Sequence, residues 1–512
     1  LRDAPPGALV LANWHHTTPL WYLQEVDGLR EDVEVVYVYP EGATPNEEVW
    51  LRRIDEALDE RPVIVTNRFY AYEGADLRFV PYHDAWLVRR EPLSEPPEAI
   101  TAHLAAFGEG EGPPFVTLLG YRLSTETPRA GETLDLRVYW RAEGALPRDY
   151  STFAQLLGPG GVVGQGDIGH RSTEYLPGEV RVDAYRIPLL LHATPGSHRL
   201  ITGFYYPEGD GWQRLMTGGA DHLALADLTV EPADRPFATL HPRVDRFSGG
   251  LVLRGADADH TIAGETRLYL HLSEADAVPV ARGPWGADAK AVTLQLSGPD
   301  GLLAERPVPP LDPGAAVTLA VDLPAGVGEV RVALRAADGA VLPRLGPWGR
   351  AAGDGVTLRL SDEGHYVPLG GEMAFLGMPG LPAEAPAGGE ATLRAAFLAL
   401  RPLTRDYSIS VGLARPDLGW EAKADGTPAL GAIPTLKWVT GWVVEDQHAV
   451  PLGGQAPGGA APGGAAPPGE AAVTLSVYDA FTLEPLNVLD ERLVRQGQGT
   501  SLRLDTATVR IE

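Results

Sequence analysis

From Leu134 to Trp140 every second residue is apolar: Leu134, Leu136, Val138 and Trp140. A period of two predicts a strand with one face in a core and the other in water. The run opens on Gly131-Glu132 and is followed by Arg148-Asp149-Tyr150-Ser151. Its pieces return as AGETRLYLHL from Ala263 and as GGEATLRAAFLAL from Gly388, with TRDYS from Thr404. Gly131-Glu132 maps onto Gly389-Glu390 with a shift of 258, and Arg148 onto Arg405 with a shift of 257. Nearly constant spacing over so many residues marks a duplication. Most of the chain is therefore expected to form a row of antiparallel β-sandwiches, a framework that carries no chemistry of its own.

Residues 1–90 follow a different pattern. ALVLANW (Ala8–Trp14), VEVVYVY (Val33–Tyr39) and PVIVTN (Pro62–Asn67) are apolar runs of strand length, with two helical segments between them. The first helix is expected to start at an N-cap Thr18, with Pro19 in its first position and Tyr22, Leu23, Val26 and Leu29 on one face. The second opens on the capping-box pattern Thr44-Pro45-Asn46-Glu47 and buries Trp50, Ile54, Ala57 and Leu58. Alternating strands and helices predict a small α/β domain with a parallel sheet. Leu77–Val88 would add one or two strands.

Residues 91–114, rich in Pro, Glu and Gly around a short possible helix, are expected to be a linker. Three repeated β-sandwiches of Ig/fibronectin-like type are then expected over 115–233, 245–362 and 368–512, making the chain multidomain. The Gly/Ala/Pro tract 453–470 resembles a linker at first sight. However, Gly441 aligns with Gly178 at a shift of 263, and Pro468 with Pro195 at 273, so the tract is expected to be a lengthened loop inside the third sandwich.

Composition narrows the partners. The net charge of −26 argues against nucleic acid or anionic lipid. No apolar run approaches the ~20 residues of a membrane helix. With no cysteine, disulfides and thiolate metal sites are excluded. The chain begins at Leu1, without an initiator Met, and is expected to be part of something longer.

In an open α/β sheet, ligands bind at the carboxyl ends of the strands. Asn13, Trp14, His15 and His16 follow the first run, Glu41 the second, and Asn67, Arg68 and Tyr70 the third, while a helix start at Thr18 favours an anion. These residues are the candidate ligand site, for a phosphate or a sugar. The alternative is that Trp14 packs, the histidines are exposed and the asparagines cap turns. Adjacent histidines diverge, so zinc is not expected. Asp257 and Asp259 in GADADH could be Ca²⁺ ligands or ordinary turn acids. The PWG triplets at Pro284 and Pro347 present tryptophans that either stack on sugars or pin loops. No GxSxG, Walker or complete dinucleotide motif occurs, so neither a catalytic residue nor a cofactor is assigned.

Ala12–Gly42 (ANWHHTTPLWYLQEVDGLREDVEVVYVYPEG) resembles the soluble tail of bacterial polytopic membrane glycosyltransferases, and Leu118–Leu157 looks like the sandwich appended to many of them. The resemblance implies a parent protein that transfers sugar from a polyprenyl-phosphate carrier, with its acidic catalytic residues in a membrane region absent from this chain. It implies an extracytoplasmic, non-catalytic part at the cell envelope, positioning an acceptor or envelope glycan. Two other readings stay open: a structural or adhesive surface protein with sandwich spacers, and an α/β domain that is itself an enzyme.

Overall fold

A computed structural model describes residues 1–67, 77–83, 85–110, 112–209, 211–275, 292–324, 326–361, 364–453, 466–480 and 483–512, with the backbone alone for His15, Leu430 and Asp505. Its order is β1 (Leu9–Ala12), α1 (Trp14–Glu25), β2 (Glu34–Tyr37), α2 (Asn46–Leu58), β3 (Val63–Val65), β4 (Arg78–Tyr82) and β5 (Ala85–Arg89), followed almost entirely by strands. The first sheet runs β2-β1-β3-β5-β4. β1 is parallel to β2 and β3, whereas β5 is antiparallel to β3 and β4. The sheet is thus mixed, not parallel throughout. The β4–β5 connection is too short for a crossover, so it must return the chain antiparallel.

Helix α1 starts five residues earlier than its proline suggests. Asn13 is the N-cap and Pro19 lies inside the helix. The expected apolar face does not form: Tyr22 and Val26 are exposed and Thr17 is buried. In α2 the buried residues are Val49, Trp50, Ile54 and Ala57, and the N-cap position falls on Pro45 without a side-chain bond, so the capping box is not made.

After residue 100 the strands form six sheets that face each other in pairs. In the first pair one sheet orders Val180–Pro188, Thr133–Ala142, Val116–Leu123 and Thr101–Phe107. The other orders Gly161–Gly169, Ser151–Gly158 and Gly196–Glu208, and the last pairs onward with Gly211–Arg214 and Leu223–Val230. The stretch 91–114 therefore contributes a strand, Thr101–Phe107, and among its described residues no helix. The second pair orders Ala316–Pro324, Glu265–Glu274, Leu251–Asp259 and Pro242–Phe247 against Gly301–Val308, Val292–Gly298 and Glu329–Ala336. The third orders Val443–Pro451, Glu390–Ala399, Met373–Gly377 and Val367–Leu369 against Trp420–Gly426, Tyr407–Arg415, Gly469–Asp479 and Leu502–Ile511. In chain order the long strands are connected the same way in each pair, with short additions: Gly211–Arg214 in the first, Arg344–Leu345 in the second and, in the third, Glu384–Ala385, which is parallel to Leu502–Ile511. The Gly/Ala/Pro tract joins Val443–Pro451 to Gly469–Asp479 within the third pair, and residues 454–465 of it lie outside the described residues.

The recurring motifs have local physical causes. The glycine ahead of the long inner strand has positive φ at Gly131 (73°), Gly264 (77°) and Gly388 (79°), a conformation other residues adopt only with strain. The strand bounds Thr133–Ala142 and Glu390–Ala399 differ by 257 at both ends, so Gly131 corresponds to Gly388 rather than Gly389. Arg-Asp-Tyr builds a corner. The Tyr150 amide donates to Ser172 Oγ (2.9 Å) and the Tyr150 hydroxyl to Glu109 (2.7 Å). The Tyr407 amide likewise donates to Thr435 Oγ1 (2.8 Å) and its hydroxyl to Glu372 (2.9 Å).

Trp140 lies in the first inter-sheet core, fully buried, with Asp135 exposed on the other face. That other face is not all in water: Tyr139 is buried there with Val80, Leu93 and Val180.

The three pairs meet around helix α3 (Glu491–Arg495). Arg492 donates to Asp490 Oδ2 (2.6 Å) and to Asp259 Oδ2 (3.0 Å), and both carboxylates are fully buried. Arg267, also buried, reaches Asp322 (2.6 Å), Asp490 (3.1 Å) and Glu491 (2.8 Å). His192 of the first pair closes the cluster at 3.2 Å from Glu491.

Candidate functional site

The carboxyl ends of β1, β2 and β3 gather at one edge of the first sheet. Asn13 leaves β1 there, and its Oδ1 accepts from the His16 amide (3.2 Å) and lies 3.0 Å from His16 Nδ1. Its amide nitrogen donates to Asn67 Oδ1 (2.9 Å), which also accepts from Thr66 Oγ1 (3.0 Å). The ends of β1 and β3 are thus tied by a side-chain network.

Beside this network lies a shelf of aromatic rings. Trp14, 54% exposed, meets Trp21 edge-on at 6.5 Å and Tyr37 at 5.4 Å, and Tyr37 continues to Tyr39 at 5.9 Å. The Trp21 indole N–H donates to the Val35 carbonyl (3.0 Å), which fixes a ring that still faces solvent. Two periodicities build the shelf. Trp14 and Trp21 are seven residues apart, two turns along one helix face, and Tyr37 and Tyr39 are two apart at a strand end.

The structure therefore brings together Asn13, Trp14, His16 and Asn67 of the expected set and adds Trp21, Tyr37, Tyr39 and Thr66. Thr18 does not start the helix: its hydroxyl donates to the Trp14 carbonyl (3.0 Å). No helix N-terminus lies at Thr18 to favour an anion there. Arg68, Tyr70 and the His15 side chain lie outside the described residues. Glu41 faces α2 instead, where hydrogen bonds from Arg52 and Arg53 hold its carboxyl below its ordinary value.

An exposed aromatic shelf with fixed amide groups beside it suits a hydroxylated ring: flat π-faces meet the C–H face of the ring, and amides orient its hydroxyls. Among the described residues the shelf shows no nucleophile–base pair.

The other candidates resolve differently. Asp257 and Asp259 sit in a strand rather than a turn, and both are buried. Asp257 accepts from the His241 amide (2.9 Å), and Asp259 accepts from Thr261 Oγ1 (2.6 Å) and the Tyr366 amide (3.1 Å). Among the described residues no group of three or more His, Asp or Glu could hold a metal ion. Trp348 of the second PWG is 97% exposed at φ 66°, so it pins nothing; the PWG at Pro284 lies outside the described residues.

No protein-family model matches the chain, and no curated protein matches it either. Among the described residues no helix is long and apolar enough to cross a membrane.

Proposed function

We propose that the chain is a non-catalytic, extracytoplasmic part of a membrane glycosyltransferase-like protein, and that it positions an acceptor or cell-envelope glycan. The observation that carries this reading is the aromatic shelf of Trp14, Trp21, Tyr37 and Tyr39 beside the Asn13–Asn67 amide pair. In this reading the three sheet pairs are copies of one Ig/fibronectin-like module. The repeated strand order, the positive-φ glycines and the Arg-Asp-Tyr corners support it. The modules hold the α/β domain at a set distance and orientation, and the buried ionic cluster at their junction keeps that geometry stiff.

The test is calorimetric titration of the chain with neutral glucose and N-acetylglucosamine oligosaccharides. Trp14→Ala should weaken binding about tenfold, the loss expected for one aromatic anchor of roughly 1.4 kcal/mol. Its stability should change little, because the ring is half exposed. Equal affinity in Trp14→Ala, or no saturable binding at all, would remove the shelf from the function.

A further inference from the structure

A second group of rings, separate from the shelf, lies on the outer face of one sheet of the first pair. Strand register sets Ser151 opposite both Tyr205 and Gly169, and Phe153 opposite both Asp167 and Gly203. The short strand Gly211–Arg214 adds Arg214 opposite Tyr205, and Trp212 two residues along on the same side. Ala154 and Phe204, at the alternate positions, point the other way, into the core with Trp140.

Tyr205 is the centre of this face. Its hydroxyl is hydrogen-bonded to Ser151, on the next strand, and to Asp167, on the strand beyond. The ring therefore lies across the sheet instead of standing away from it. Trp212, 67% exposed, stands nearly perpendicular to it, with ring centres 5.2 Å apart at 80°. Space beside Ser151 is open, because a Cβ on Gly169 would meet only Ser151 Oγ, at 3.9 Å. The result is a corner with a flat floor, an upright wall and a carboxylate at the hydroxyl end of the floor. The floor recurs in the third pair, where the Tyr478 hydroxyl is bonded to Asp425 and Ser408, and Ser408 is opposite Tyr478. In the first pair Trp212 adds the wall.

The charges at this corner leave room for a cation. Among the described residues the one cation that acts on Asp167 is Arg214, and it does so from a distance. The Arg214 guanidinium is itself engaged, 3.3 Å from Asp221 and 4.4 Å above the centre of the Phe153 ring. His222 shares Asp221 at 2.6 Å. Two carboxylates thus face one permanent cation, an excess of one negative charge when His222 is neutral. The Asp167 side chain reaches solvent, yet desolvation raises its carboxyl above the ordinary value against both Tyr205 and Arg214. The π-faces of Tyr205 and Trp212 favour positive charge in the same place, and so does the chain's net charge of −26.

We infer that this corner binds an amino sugar, with its ring against Tyr205 and Trp212 and its ammonium on Asp167. A carboxylate has several acceptor positions, and the Tyr205 hydroxyl occupies one of them. The two aromatic faces meet the C–H surface of the sugar at right angles to one another, which fixes how the ring lies. The site takes a cationic sugar where the shelf takes a neutral one, and it does not rest on the shelf.

The experiment is calorimetric titration at about pH 6, where a sugar amine is protonated. It uses the full chain carrying Trp14→Ala, so that the shelf contributes little. Glucosamine should bind saturably, and more weakly at higher salt. N-acetylglucosamine has the ring without the charge, and ethanolamine the charge without the ring; each should bind roughly tenfold more weakly or worse. Asp167→Asn and Trp212→Ala, added singly, should each weaken glucosamine binding by roughly tenfold. Asparagine still accepts the Tyr205 hydroxyl bond and Trp212 is largely exposed, so the fold should persist in both. Either of the two simpler ligands binding as tightly as glucosamine, no saturable binding of glucosamine, or an unchanged affinity in either variant would overturn the assignment.

Discussion

Arg492→Met is expected to destabilise the chain by about 3–5 kcal/mol, the cost of removing one partner from a buried ionic cluster. The change strands Asp259 and Asp490, both without solvent contact, and leaves Arg267 as the one arginine still bonded to Asp490. Denaturant unfolding with and without the substitution measures it. The acid limb provides a second check. Burial would raise the Glu491 carboxyl from its ordinary 4.5, but hydrogen bonds from His192 and Arg267 outweigh it and hold the group well below the carboxylate range. A carboxyl depressed in the folded state adds stability above its unfolded value and loses it as pH falls. Asp322, likewise lowered against burial by Arg267, acts in the same sense. Asp259 is raised by burial, with the Asp490 charge adding to it, and acts in the opposite sense. The two lowered groups should dominate, so stability should fall below about pH 4.5. A midpoint that does not move between neutral pH and pH 3.5, or an Arg492→Met variant as stable as the parent, would show that the junction contributes nothing.

Trp140→Ala is expected to cost about 3–5 kcal/mol. The ring meets Phe204 at 4.7 Å and Phe107 at 5.5 Å in the first core, and its N–H donates to Asp183 Oδ2 (2.8 Å). Two effects combine and can be separated. Burial would raise the fully buried Asp183 carboxyl, yet His170, Thr152 and Trp140 hold it below its ordinary value. Trp140→Phe keeps most of the packing and removes the indole donor, so it should cost roughly 1–3 kcal/mol. The third sheet pair shows that the substitution can be accommodated. Phe397 stands where Trp140 would map at the 257 shift, and Asp446, which maps to Asp183 at 263, bonds His448 (2.8 Å) instead. If Trp140→Ala were tolerated within a few tenths of a kcal/mol, the inner-face assignment would have to be wrong.

Much of the architecture is legible in the pattern of apolar positions. Alternation places Trp140 in the core, and the recurring glycine and Arg-Asp-Tyr motifs mark strand starts and corners whose reasons are φ angles and hydrogen bonds. Failures come where a non-local contact decides. Tyr139 reads as solvent-facing by alternation, but Leu93 and the β4 residue Val80 cover it from segments the periodicity cannot connect. Pro19 reads as a helix start, yet Asn13 caps the helix earlier, and the buried Thr17 hydroxyl donates to the Asn13 carbonyl (2.7 Å). At the shelf the asparagines and Trp14 follow from their place after parallel strands. Tyr37 and Tyr39 carry a readable signal, two aromatics on one side of a strand end, and Trp21 does not, because a helix that starts at Pro19 leaves Trp14 off it and hides their seven-residue spacing. Glu98, shared by Arg122 and Arg137, and Glu179, shared by Arg78 and Arg181, join residues from five separate stretches, and no spacing in the chain announces them.

The most direct measurement of glycan positioning is a crystal structure of the chain grown with a neutral glucose or N-acetylglucosamine oligosaccharide. The aromatic shelf predicts a sugar ring stacked on Trp14 and bordered by Trp21 and Tyr37, with a hydroxyl hydrogen-bonded to the Asn13–Asn67 amides. A sugar bound elsewhere while the shelf stays bare, in crystals where the shelf is open to solvent, would contradict it.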